Sequence, residues 1–219
     1  KPSTLGNLLW TKSYPQAPGN NSRYLEDWDP YIGVFIFHDK EVFERFGYSL
    51  ADGSLLWGPT VLNNDTTSDW NFLLDGMDRV AYGNLYFTGY SGILYCYNAS
   101  NGKLQWTYGN GGPGNSTYSG FVTPYGRYPE FFAGIADGKI YIVMDEHSPN
   151  SPMYKGGKLR AINATDGTEL WTISGWGNMM NGVNSAIADG YLATLDIYDM
   201  QIYSFGKGPS ALTVLAPDV

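Results

Sequence analysis

Apolar and polar residues alternate along this chain in short runs, and the runs are broken by glycine. "NLYFTGYSGILYCYN", "AGIADGKIYIVMD" and "SAIADGYLATLD" each read as strand, tight turn and strand, because a period of two puts one face of each run inward. Eighteen Tyr and seven Trp on a Gly-rich background suit many short strands and tight turns better than a helical bundle. A second pattern lies over the first. "GYSLADGSLLW" (Gly47 to Trp57), "CYNASNGKLQW" (Cys96 to Trp106) and "AINATDGTELW" (Ala161 to Trp171) share a small first residue, a polar third, Asn or Asp sixth, Gly seventh and Trp eleventh. The polar third side chain bonds the turn backbone, and Asn-Gly or Asp-Gly supplies the positive φ of a reversal. The following strand then carries Trp on its inward face, where a large ring wedges between sheets.

"PSTLGNLLW" supplies the tail of a fourth copy at Trp10, so the tryptophans are spaced by 47, 49 and 65 residues. Four short antiparallel strands per unit at such a period predict an all-β propeller of about four four-stranded blades. Trp10, Trp57, Trp106 and Trp171 are then the blade-packing residues, with the last three largely buried. Two loop-like insertions, "GNGGPGNSTYSGFVTPYGRYPE" and "DEHSPNSPMYKGG", account for the longest interval. The propeller is expected over residues 1–206, with 207–219 a strand or linker towards a following domain or a neighbouring subunit. Two units depart from the pattern. The stretch from Tyr31 to Trp57 has room for fewer strands than a full blade, and "DMQIYSFGKGPSALTV" has no Trp eleven residues into its hairpin.

The eleven-residue hairpin ending in Trp resembles the tryptophan-docking motif of pyrroloquinoline-quinone (PQQ) type propeller repeats. Several other stretches, "LADGSLLWGPT", "GNGGPGNSTYSG", "EHSPNSPMYKGG" and "GKGPSALTVLAP", resemble those of secreted archaeal surface proteins whose propellers lead into β-sandwich domains. The first resemblance implies the fold. It also raises PQQ-dependent dehydrogenation, which in that class uses calcium and PQQ near the propeller axis, an Asp base and often a vicinal disulfide.

The residues favour a non-catalytic reading. A single cysteine, Cys96, excludes any vicinal disulfide, and among alternating bulky residues it reads as a buried inert thiol. Candidate acids are Glu26, Asp27, Asp29, Asp75, Asp78, Asp145 and Glu146. Asp27 and Asp29 have the spacing of a calcium loop, but Tyr31 and His38 stand where its later ligands belong. "DGMDR" reads as a turn. His38 and His147 are placed at separate turns with no second His at metal spacing. No G-x-S-x-G elbow is present, and the Gly-rich "GNGGPGN" has no Lys, so it reads as an exposed loop. No catalytic, cofactor or metal residue is therefore assigned.

A net charge of −8 argues against nucleic acid or anionic lipid as a partner, and no apolar run reaches membrane-spanning length. Five N-x-S/T sequons, at Asn20, Asn64, Asn98, Asn115 and Asn163, point to an N-glycosylated extracellular or cell-surface protein. The opening "KPSTLG", without Met, is expected of a processed chain or a piece of a longer one. The function expected is a structural or adhesive surface glycoprotein. The alternative is a carbohydrate- or peptide-binding module using loop aromatics at Trp70, Phe72, Tyr118, Tyr125, Tyr128 and Trp176. The ends carry one more expectation. "GNLLWTKSY" is an outer strand without inner strands, and "SAIADGYLATLDIYDMQIYSFG" is inner strands without an outer one. Pairing them, within one chain or between chains, predicts ring closure or self-association by strand exchange, and the trailing "SALTVLAPDV", a β-prone strip after a Gly-Pro break, is a second candidate for either role.

Overall fold

The structure, a computed structural model, describes residues 6–60, 78–88, 93–109, 122–123, 126–127, 130–146, 157–179 and 184–208, with the backbone alone at 122–123, 126–127, 144–146 and 178–179. Asn64, Trp70, Phe72, Asp75, Asn115, Tyr118, Tyr125, Tyr128 and His147 lie outside the described residues, and Asp145 and Glu146 are described by backbone only. Within the described residues there are strands, turns and one 3-10 turn at Lys40–Val42, and no α-helix.

The strands form consecutive antiparallel sheets, which are the blades of a propeller. The first blade is β1 (Arg23–Asp29), β2 (Val34–Asp39), β3 (Glu44–Ser49) and β4 (Leu55–Trp57), in that spatial order. β5 (Arg79–Ala81), β6 (Asn84–Phe87), β7 (Leu94–Asn98) and β8 (Leu104–Tyr108) make the second in the same way. A two-stranded hairpin of β9 (Val122–Thr123) and β10 (Gly126–Arg127) precedes the third blade. That blade comprises β11 (Glu130–Ala136), β12 (Lys139–Glu146), β13 (Lys158–Asn163) and β14 (Glu169–Ser174). The short β15 (Asn178–Met179) runs parallel to the end of β12. The fourth sheet has three strands among the described residues, β16 (Ser185–Ala188), β17 (Tyr191–Asp196) and β18 (Gln201–Gly206).

The core lies between sheets, as expected when each blade buries its two faces against its neighbours. Val34, Ile36 and Trp57 meet Leu85, Phe87 and Tyr97 in the first joint. Tyr86, Cys96 and Trp106 meet Phe132, Ile140 and Ile162 in the second, and Phe131, Val143 and Leu159 meet Leu192 in the third. First strands also touch one another. The Val80 amide donates to Asp27 Oδ2 at 2.7 Å, and a Cβ on Gly134 would lie 2.5 Å from Ile187.

Three expectations need correction. The first blade is a full one, because β1 precedes Tyr31. Its sequence, "RYLEDWD", hides the strand, since Leu25 and Trp28 face solvent and a bulge between Leu25 and Asp27 breaks the alternation. A bidentate pair from Arg23 Nε and Nη2 to Asp39, at 2.6 and 2.7 Å, fastens it to β2 instead. His38 lies inside β2 rather than at a turn, and is buried with Nδ1 3.1 Å from Glu26 Oε1. Residues 7–17 form no strand, so "GNLLWTKSY" is not itself an outer strand in this structure.

Candidate functional site: the tryptophan docks and the open ends

Each repeat hairpin closes through the bonds its sequence calls for. The amides of Gly53, Gly102 and Gly167 donate to the carbonyls of Ser49, Asn98 and Asn163 at 2.8, 2.8 and 2.9 Å. Ser49 Oγ, Asn98 Oδ1 and Asn163 Oδ1 accept from the amide two residues on, at 3.1, 2.9 and 2.9 Å. Asp52, Asn101 and Asp166 do the same at the sixth position, each at 3.0 Å. The glycine that follows has φ between +68° and +75° in all three, where a side chain is strained.

The glycine has a second task. A Cβ on Gly102 would lie 2.5 Å from Trp57, and one on Gly167 would lie 2.6 Å from Trp106. Each tryptophan therefore sits on the glycine of the next blade's hairpin. Trp57 Nε1 also donates to the Ala99 carbonyl of that hairpin at 2.7 Å. The ring is aimed by a bulge that recurs in all three blades. Trp57, Trp106 and Trp171 stand opposite Gly47, Cys96 and Ala161, and the register slips by one residue immediately beyond each pair.

The copies differ in detail. Trp106 is buried and its Nε1 has no hydrogen-bond partner among the described residues, while the equivalent carbonyl, that of Ala164, accepts from Tyr86 Oη at 3.0 Å. Trp171 is only partly buried, 5.9 Å from both Tyr141 and Phe205, so its ring is less fully covered than those of Trp57 and Trp106. It borders a cleft of about 350 Å³ that Tyr191 and Phe205 also line. At the rim of this cleft Lys139 and Lys207 hold the exposed Asp137 carboxyl down to about 2. Trp10 is docked although its segment is no strand. Its Nε1 donates to the Leu50 carbonyl at 2.9 Å, and a Cβ on Gly53 would lie 3.0 Å from its ring. Tyr14 and Lys12 fasten the same segment by donating to the Gly53 carbonyl, each at 2.8 Å.

Buried charge sits in the same joints. Arg45 Nε and Nη2 donate to Asp78 at 3.0 and 3.2 Å across the first joint, with the guanidinium 3.8 Å above the Phe87 ring centre. Asp78 of "DGMDR" is therefore a buried counterion, while Asp75, Gly76 and Met77 of that stretch lie outside the described residues. Arg160 donates to Glu130 at 2.8 Å, 5.6 Å from the Tyr108 ring. Burial raises the Tyr108 hydroxyl well above the usual phenol range, and it donates to Glu169. Burial likewise pushes the Cys96 thiol up to about 12, the state of an unreactive core cysteine.

The four candidate acids whose side chains are described each have a partner within the fold. Glu26 meets His38, Asp27 accepts from Val80, Asp29 accepts from the Tyr31 amide and Asp78 binds Arg45. Among the described residues no group of three or more His, Cys, Asp or Glu converges on a metal position. These residues do not form a seat for a quinone and its calcium ion. Trp176 is buried against Tyr203 and Phe205, so it offers no platform to a ligand. Of the sequons, Asn20 is exposed, and Asn98 and Asn163 are half-buried at equivalent hairpin corners.

A family model described as outer membrane protein assembly factor BamB matches residues 46–195, from the third strand of the first blade into the fourth. The chain belongs to this BamB family of PQQ-type repeats. Solved structures resemble the chain at low identity. The computationally designed Ika4 protein is 8% identical, with 93% of this chain and 100% of that one covered and a TM-score of 0.51. BamB from Moraxella catarrhalis is 14% identical over 84% of this chain, with a TM-score of 0.44. A quinohemoprotein alcohol dehydrogenase from Pseudomonas putida HK5 is 18% identical over 69% of this chain and 22% of its own, with a TM-score of 0.44. The chain spans 45% of the Moraxella BamB chain it matches. No curated protein matches it.

Proposed function

We propose that this chain is a non-catalytic extracellular glycoprotein, a structural or adhesive surface component of archaeal type that joins copies through its terminal segments. The observation that carries the reading is the use of its buried and half-buried acids. Asp78 and Glu130 neutralise buried arginines and Asp27 caps a neighbouring strand, so these carboxylates serve cohesion rather than a reaction centre. The family description, an assembly factor, likewise denotes a protein that works by contact. The decisive test is incubation of the purified chain with PQQ and calcium. Neither stoichiometric binding nor dye-linked oxidation of alcohols or sugars is expected, and stoichiometric binding would favour a quinoprotein. The native mass should show sugar on at least three of the five sequons, and a bare-polypeptide mass would refute the glycoprotein.

A second reading, a carbohydrate-binding module, draws support from a cleft of about 770 Å³ lined by Tyr14, Tyr24 and Phe37 together with Gln16, Asn20 and Asn21. Aromatic faces beside side-chain amides suit sugar rings. Saccharide binding without turnover, lost on replacing Tyr24 by Ala, would favour this module.

A further inference from the structure

We propose that the open edge of β18 is completed by the segment around Trp10 of a second copy of this chain, with Trp10 opposite Ser204 and Lys12 opposite Ile202. The inference rests on the assembly reading above and names the strands that would carry it. Two observations point to it. β18 is an edge of a three-stranded sheet among the described residues, and Ile202 on it is 77% exposed. Trp10 occupies, against the first blade, the seat that Trp57 occupies against the second, yet Leu8 and Leu9 beside it are 81% and 79% exposed. The segment is thus anchored as an outer strand's tryptophan would be, without the sheet that such a strand belongs to.

Register follows from the repeats. β12 and β17 each leave an Ile-Ala-Asp-Gly turn, at Lys139 and Tyr191, and these residues pair with Asn163 and Gly206. Gly206 is thereby equivalent to Asn163, and Ser204 to Ala161. Ala161 faces Trp171, and Leu159 faces Ile173, two residues beyond that tryptophan. Leu94 faces Tyr108 in the same relation to Trp106. Transferred to the open edges, the rule sets Trp10 against Ser204 and Lys12 against Ile202.

Among the described residues the Trp10 segment makes no backbone hydrogen bond to β18, and in the proposed joint a second copy supplies the complement. Unpaired edge amides and carbonyls give the affinity, and Trp10 remains in its own dock. The new joint then repeats the Trp57 joint. Being head-to-tail, it closes into a ring or propagates into a filament according to the rotation between copies.

The test is disulfide trapping with Lys12→Cys and Ile202→Cys made in separate chains, which are mixed and mildly oxidised. Both positions are exposed, and Cys96 stays silent because it is fully buried. Opposed residues of an antiparallel pair lie about 4.5–5.5 Å apart at Cα, within disulfide reach. The expected result is an interchain 12–202 disulfide, with little product when Thr11→Cys replaces Lys12→Cys. The full chain should sediment as two or more copies, and deletion of residues 1–12 should return the monomer. A 12–202 disulfide formed only inside a chain carrying both substitutions would overturn the second copy in favour of self-closure. Oligomers that persist without the disulfide would overturn this edge while leaving assembly standing. A monomeric full chain would overturn both.

Discussion

The Trp57 and Trp106 joints are built from the same hairpin, the same glycine seat and the same bulge, yet only one indole makes its hydrogen bond. Trp57 donates to Ala99, whereas at the equivalent Ala164 carbonyl the donor is Tyr86, and Trp106 Nε1 has no partner among the described residues. Both rings are nevertheless buried to a similar degree, at 8% and 7% exposed. Ring burial and the fit onto glycine therefore place the tryptophan, and the indole N–H follows when an acceptor is free. An unsatisfied buried donor costs about 1–3 kcal/mol, which is less than the burial of so large a ring recovers. The Trp171 joint extends the contrast. Its bulge and strand register match the others, but the ring is half-buried beside an open cleft.

The sharpest way to break the comparison is to remove the rings. Trp57→Ala and Trp106→Ala should each cost about 3–5 kcal/mol through lost burial and the cavity left behind. Trp171→Ala should cost about 1–2 kcal/mol, since less of its surface leaves water. Urea denaturation measures all three, and equal losses would show that the docks do not differ. Asp78→Ala should cost a comparable 3–5 kcal/mol or so, because it leaves Arg45 buried without a counterion.

A smaller effect separates the two tasks of the hairpin glycine. Gly167→Ala meets both the left-handed backbone and the Trp106 ring, whereas Gly190, with φ +82°, has nothing within 4 Å of its missing Cβ. Gly190→Ala should cost about 1–2 kcal/mol for the backbone alone. Gly167→Ala should cost about 1–3 kcal/mol more for the displaced ring. Equal losses would mean that the ring moves freely and the seat is not specific. Smaller again is Tyr86→Phe, which releases the Ala164 carbonyl to Trp106. Stability should change by less than about 1 kcal/mol, with a downfield shift of the Trp106 indole proton as the readout, and an unchanged proton would deny the competition. Least of all, Cys96 should resist iodoacetamide at pH 8 in the folded protein and react once urea unfolds it.

How far the sequence could be read depended on the range of the interaction. The hairpins were legible because polar corner, Asn or Asp and glycine act within a few residues of one another. The turn at Asp196–Met200 shows how much of this chemistry is local. It repeats the corner bonds, with Met200 at φ 61° where the other copies have glycine, and Met200 N donates to Asp196 at 2.8 Å. β1 was not legible, since what fastens it is the Arg23–Asp39 pair with β2, and the polar run itself shows little apolar alternation. Nor was the role of His38 or Asp78, whose partners Glu26 and Arg45 lie 12 and 33 residues away. The spacing of glycine and tryptophan was visible four times over, but within one hairpin the two residues do not serve each other.

The sequence alone determined an all-β chain of repeated hairpins, with the turn positions and the tryptophan strands marked, because backbone reversal and period-two burial are settled by neighbours in the chain. Tertiary structure decided which glycine receives which ring, which indole finds an acceptor, and which carboxylates neutralise buried arginines. It also left β18 and the Trp10 segment unpaired among the described residues. Each of these outcomes depends on a surface supplied by the next blade, and that surface exists only once the sheets have come together.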